Sequence, residues 1–232
     1  MRLFQAWGID VFLHWSWFAL VFIFYSTGQF GAEPIWGIAT YLALFVIVLM
    51  HEFGHALACR SVGGQASTIV LWPLGGIAFV RPPQRPGAVL WSIVAGPLVN
   101  VVLVPVTVVA YLALVGNTPM EQWTPGQNFI AMVMFINAAL LAFNMLPIYP
   151  LDGGQTLQSI LWFFMGRSQS LKIAAVVGLA CTPILFGLAL WTWRPVLLLI
   201  SLFIGWQAYA GYRTAILLAQ QEEAAERWRR PS

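Results

Sequence analysis

The sequence predicts an all-α polytopic membrane protein of about six transmembrane helices, with a small cytoplasmic-side β-hairpin between helices two and three and a broken fourth helix. Three observations carry this reading. Charged residues make up only 8% of the 232, whereas soluble domains carry about 25%, and the mean hydropathy is +0.79. Apolar runs of membrane-spanning length recur along the chain, and lipid admits such runs as helices whose backbone groups are satisfied internally. Clusters of proline and glycine at residues 73–76 and 147–154 interrupt the pattern.

In order, the first span is expected from residue 11 to about 25. Trp and Phe crowd its end and no small-residue cleavage site follows, so it reads as a retained anchor. Gly8-Ile9-Asp10-Val11-Phe12-Leu13 reads as a short interfacial strand ahead of it. The second helix runs from Trp36 to near Arg60. Two β-prone runs, 67–72 and 77–80, flank Pro73-Leu74-Gly75-Gly76 and predict the hairpin. The third helix covers residues 88–115 and holds Ala95-Gly96-Pro97. Membrane helices tolerate these residues when neighbours satisfy the freed backbone, and small residues permit close approach.

The fourth helix is expected from Phe129 to Phe143. It meets Asn144-Met145-Leu146-Pro147-Ile148-Tyr149-Pro150-Leu151-Asp152-Gly153-Gly154, where two prolines and two glycines must break it. A shorter apolar piece, 156–165, follows; helices five and six take residues 171–191 and 195–218, and 219–232 is a charged tail, amphipathic or frayed. One integral membrane domain is expected over 1–232, with its core at 36–166. Arg2, the Arg60/Arg81/Arg85 and Arg167/Lys172 links and the tail arginines fall on one side of six spans, so both termini are expected in the cytoplasm.

The net charge of +3 does not point to nucleic acid, because the basic residues sit at segment ends and form no stripe. The lipid bilayer is the partner the composition implies. Cys59 and Cys181 lie in apolar segments, which argues against a disulfide framework.

The chemistry-bearing stretch is His51-Glu52-Phe53-Gly54-His55. On a helix His51 and His55 share one face, one turn apart, and can grip one Zn2+ ion; Glu52 can reach a metal-bound water as general base. Ionisable residues within a membrane-length helix are costly and point to function. A catalytic zinc generally has three protein ligands. Asp152 is the sole acidic residue between Glu121 and Glu222 and is the candidate third ligand, with Gly153 and Gly154 letting the chain pass close to the metal. Asn144 could aim an amide donor at the carbonyl oxygen under attack.

With these residues in view, the chain resembles the site-2 protease family of intramembrane zinc metalloproteases. The resemblance rests on His51 through His55, Pro73-Leu74-Gly75-Gly76, Ala95-Gly96-Pro97 with Asn100, and Asn144 through Gly154, in the family's order. It implies zinc held by His51, His55 and Asp152, Glu52 as catalytic acid/base, and Asn144 as a helper at the oxyanion. The implied substrate is a single-span membrane protein cut in or near its transmembrane helix. The PDZ domain or CBS pair of some members does not fit in this length, and residues 87–90 lack an acidic residue expected in many relatives.

Other readings stand beside these. The metal-binding residues could line the path of a transporter or channel, or form a structural site in a non-catalytic protein. Asp152 could be a turn former and Asn144 a polar contact between helices. Asn100 and Asn137 read as helix–helix contacts, His14 as an interfacial residue, and Cys59 as core packing.

Overall fold

The computed structural model describes residues 1–18, 22, 33–72, 75–193 and 195–229. Four strands and six helices of more than one turn follow in order among them: β1 Arg2–Ala6, β2 Ile9–Leu13, α1 Pro34–Ser61, β3 Gln65–Trp72, β4 Gly75–Arg81, α2 Pro86–Leu114, α3 Pro125–Asn144, α4 Asp152–Met165, α5 Arg167–Trp191 and α6 Pro195–Arg229. Four of the helices open on proline, whose fixed φ suits the first helical turn and whose missing N–H costs nothing there. At α3 the start is reinforced by a reciprocal pair: Thr124 N–H donates to Gln127 Oε1 at 2.9 Å, and Gln127 N–H donates to Thr124 Oγ1 at 3.3 Å. Helix α1 stops before Gly63, at φ +85°, and α4 is divided from α5 by Gly166, at φ +83°.

Among the described residues five helices are long and apolar enough to cross a membrane: α1, α2, α3, α5 and α6. Most of the first expected span lies outside the described residues, and its opening residues, Val11 to Leu13, belong to β2. The fourth helix is two separate helices, α3 and α4, with residues 145–151 between them. The tail corrects one of its two expected forms, the frayed one. It is neither separate nor frayed through residue 229, because α6 continues as one helix of 35 residues. Its Gln, Glu, Ala and Arg residues are good helix formers, and Ser168 Oγ, at the start of α5, donates to Glu222 Oε2 at 2.5 Å.

Two compact units are present, one of residues 1–83 and 94–143, the other of 84–93 and 144–232. The first contains the sheet, in order β1-β2-β3-β4. The expected hairpin is β3 with β4, antiparallel, and the interfacial strand is β2, which pairs in parallel with β3 from Asp10↔Thr68 to Leu13↔Leu71. A register shift between Ala66 and Thr68 explains why Ala66, Ile69 and Leu71 all point inward although strict alternation would exclude the first. With Ile9 and Val11 they form a core against Val48 and Ala56 of α1.

The second unit packs α5 on α6 through small residues. Ala174, Ala175, Ala208, Ala215 and Ser201 are essentially excluded from solvent, and small side chains are what let membrane helices approach closely. Tyr149 of the 145–151 segment is seated there. A Cβ on Gly178 would fall 2.5 Å from the Tyr149 carbonyl oxygen, and one on Gly211 would fall 2.6 Å from its ring. Gly178→Ala is therefore expected to destabilise this unit by about 1–3 kcal/mol through overpacking. Thermal unfolding in detergent measures it, and an unchanged midpoint would show that the segment yields freely.

Candidate metal centre

Helix α1 carries three of the predicted site residues in its second half. His51 and His55 meet edge to face, with ring centroids 4.8 Å apart and planes at 82°. Their Nε2 atoms face one another at 3.1 Å. Nitrogen ligands about 2.0–2.1 Å from a tetrahedral zinc lie roughly 3.3 Å apart, so this pair has the spacing of two corners of such a site. His51, Glu52 and His55 are only 3%, 6% and 8% exposed. Buried ionisable groups of this kind need partners or a metal.

The neighbouring backbone makes room for them. A Cβ on Gly96 of α2 would overlap the His55 imidazole, and one on Gly76 of β4 would overlap the Glu52 side chain. A Cβ on Gly54 would come within 2.6 Å of the Ala95 carbonyl oxygen. Glycines on both helices thus let α1 and α2 meet backbone to backbone at the site, the close approach expected of small residues in membrane helices.

Behind His51 lies a chain of amides. His51 Nδ1 is 2.6 Å from Asn100 Oδ1. Asn100 Nδ2 donates to Asn137 Oδ1 at 2.8 Å, and Asn137 Nδ2 donates back to the Asn100 carbonyl at 3.2 Å. Both asparagines are fully buried. The expectation that they join helices holds, since they bridge α2 and α3. Sequence reasoning missed that the bridge ends on a predicted ligand. A signal was present: Gly96 and Asn100 are four apart, like His55 and His51, so two antiparallel helices in register set glycine against one imidazole and asparagine against the other.

Asp152 and Asn144 belong to the second unit. Asp152 is the first residue of α4 and half-buried, and the residue at the cap is Leu151. Asn144 closes α3, also half-buried. Gly153 and Gly154 have a local purpose that the sequence reading did not give them. Their missing side chains admit the carbonyls of Met145 and Leu146 and the backbone at Ile148 and Tyr149, so the segment folds tightly over the start of α4. Of the residues set aside, His14 is exposed and its Nδ1 pairs with Ser16 Oγ. Cys59 is buried with its thiol toward the Gln65 carbonyl at 3.5 Å, as core packing predicts, and Cys59 and Cys181 are not disulfide-bonded.

The sequence profile of peptidase family M50 matches residues 39–124 and 117–188, a stretch that holds all five predicted site residues. The chain belongs to peptidase family M50. This M50 chain is 30% identical over 206 residues to a zinc metalloprotease of Methanocaldococcus jannaschii, covering 88% of its own length and 58% of the relative's. It is 33% identical over 121 residues to stage IV sporulation protein FB of Bacillus subtilis, with 50% and 38% covered. The chain therefore spans about half the length of the curated relatives it matches. In fold it is similar to the solved site-2 protease from Methanocaldococcus jannaschii, with a TM-score of 0.66 and 26% identity over 91% of this chain and 94% of that one. Like that resemblance, the five membrane-length helices among the described residues make this M50 chain an integral multi-pass membrane protein.

Proposed function

We propose that the protein is an intramembrane zinc metalloprotease that hydrolyses peptide bonds in or near the transmembrane helix of single-span substrates. The observation that carries this is the buried pair of imidazole Nε2 atoms 3.1 Å apart with a carboxylate on the adjacent residue of a membrane-length helix. The donor set suits zinc. His51 and His55 would supply two nitrogens and Asp152 the carboxylate that usually completes a catalytic site with one open position. When bound, zinc lowers the pKa of a coordinated water and polarises the carbonyl to be attacked.

The chain's own residues do the rest. Glu52 takes the proton of the attacking water and returns it to the leaving amine, the two proton transfers that peptide hydrolysis requires. Asn144 donates an amide hydrogen to the developing oxyanion. A transmembrane substrate has its carbonyls tied up in helical hydrogen bonds, so it must unwind locally, and helix-breaking residues near the cut favour this. Strand β4 ends the sheet, leaving an outer edge unpaired among the described strands, with Ile77 and Phe79 exposed on it and Gly76 against Glu52. An unwound segment added to that edge would run past Glu52. Both termini are cytoplasmic in this reading, with the basic links on the same side.

The test is zinc content and cleavage measured together in proteoliposomes. Wild-type protein is expected to retain one zinc and cut a tagged single-span substrate. His51→Ala and Asp152→Asn are expected to lose both, as is chelator-stripped protein until zinc is restored. Zinc retained at wild-type level in Asp152→Asn would remove that residue from the ligand set. Zinc transport across the vesicle without any peptide cleavage would replace the protease reading with a transporter.

A further inference from the structure

We propose that Asn100 and Asn137 form a directional relay that fixes the tautomer of His51, holding Nδ1 protonated and leaving the Nε2 lone pair for the metal. The inference rests on the reading of His51 as a zinc ligand and adds the residues that prepare it. The direction of the relay follows from its far end. A backbone carbonyl can only accept, so the atom of Asn137 that meets the Asn100 carbonyl at 3.2 Å must be the amide nitrogen. Oδ1 of Asn137 therefore faces Asn100, and needs a donor. Asn100 supplies Nδ2 at 2.8 Å, which turns its own Oδ1 toward His51. That oxygen, 2.6 Å from Nδ1, can only accept, so Nδ1 carries a hydrogen.

The nitrogen left for a metal is then Nε2, the atom that faces His55 Nε2 at 3.1 Å. Which ring nitrogen of a histidine takes a metal is set by the hydrogen bond made by the other. Asn100 is in direct contact with a ligand, whereas Asn137 acts one residue further back; both are positioning residues. Burial gives the relay its force. With both asparagines at 0% exposure, water cannot easily replace a lost partner, and a flipped Asn100 would set its Oδ1 against Asn137 Oδ1, two acceptors with no hydrogen between them.

Loss of an outer-shell partner typically lowers metal affinity by about 10–100-fold. Asn100→Leu is expected to show such a loss in chelator competition in detergent, and Asn137→Leu a loss in the same direction although it touches no ligand. Asn100→Asp, which still accepts from Nδ1–H, is expected to bind zinc more tightly than Asn100→Leu. If both Leu variants lower thermal stability and yet bind zinc as tightly as wild type, the asparagines merely join helices and the relay is wrong. Should the variants fail to fold, nitrogen NMR of histidine-labelled, zinc-free wild-type protein decides: a protonated Nδ1 on His51 supports the relay, and a protonated Nε2 with bare Nδ1 overturns it. Wild-type protein that binds no zinc would refute the metal reading itself, an outcome distinct from either.

Discussion

Glu52→Gln is expected to reduce cleavage of a single-span substrate by about 10²–10⁴-fold, the usual contribution of a positioned acid/base. Glutamine has nearly the same volume, so the packing of this 6%-exposed side chain against Gly76 should survive. What it cannot do is take a proton from water and give one to an amine. The zinc content should stay at the wild-type level, because no proposed ligand is altered. Elemental analysis and cleavage on the same preparation separate the two effects. Undiminished cleavage by the variant would end the proposed mechanism, whereas lost zinc would show that Glu52 helps to hold the metal.

A second large effect is expected at a residue with no chemistry of its own. Gly96→Ala would put a methyl group where the His55 imidazole lies. The ring must then rotate, or α2 must move away from α1. The second route is resisted where a Cβ on Gly54 would already be 2.6 Å from the Ala95 carbonyl oxygen, a sign of how tightly the two backbones meet. Overpacking costs about 1–3 kcal/mol; taken wholly by the site, this is about a 5–150-fold loss of zinc affinity. Gly87→Ala on the same helix is the control, since its Cβ would meet only the Phe163 ring at 3.7 Å. Equal zinc affinity in Gly96→Ala and Gly87→Ala would show that the imidazole has room that the static geometry does not reveal.

The hairpin was legible because β-branched and aromatic runs flank a Pro/Gly cluster. The wider sheet was harder to read. The pairing of β2 with β3 joins residues such as Val11 and Ile69, and no local pattern announces a partner so distant in sequence. The tail is harder to read for a different reason: a run of charge marks the end of the apolar span at 218 but not the end of α6, because Glu, Gln, Ala and Arg favour a helix wherever water can reach it. Gly153 and Gly154 also make room for their own preceding segment, a contact that their spacing from Asp152 does not announce.

The sequence by itself determined that the chain lives in lipid, because its shortage of charge allows little else, and that His51 and His55 share a helix face, because a spacing of four fixes that wherever the helix sits. Only the tertiary structure decided that Gly96 makes room for one imidazole, that Gly76 makes room for Glu52, and that Asn100 and Asn137 stand behind the other imidazole. Local pattern reports what one helix presents. What faces it depends on the register of two helices packed backbone to backbone, and that register is set by contacts spread along their whole length.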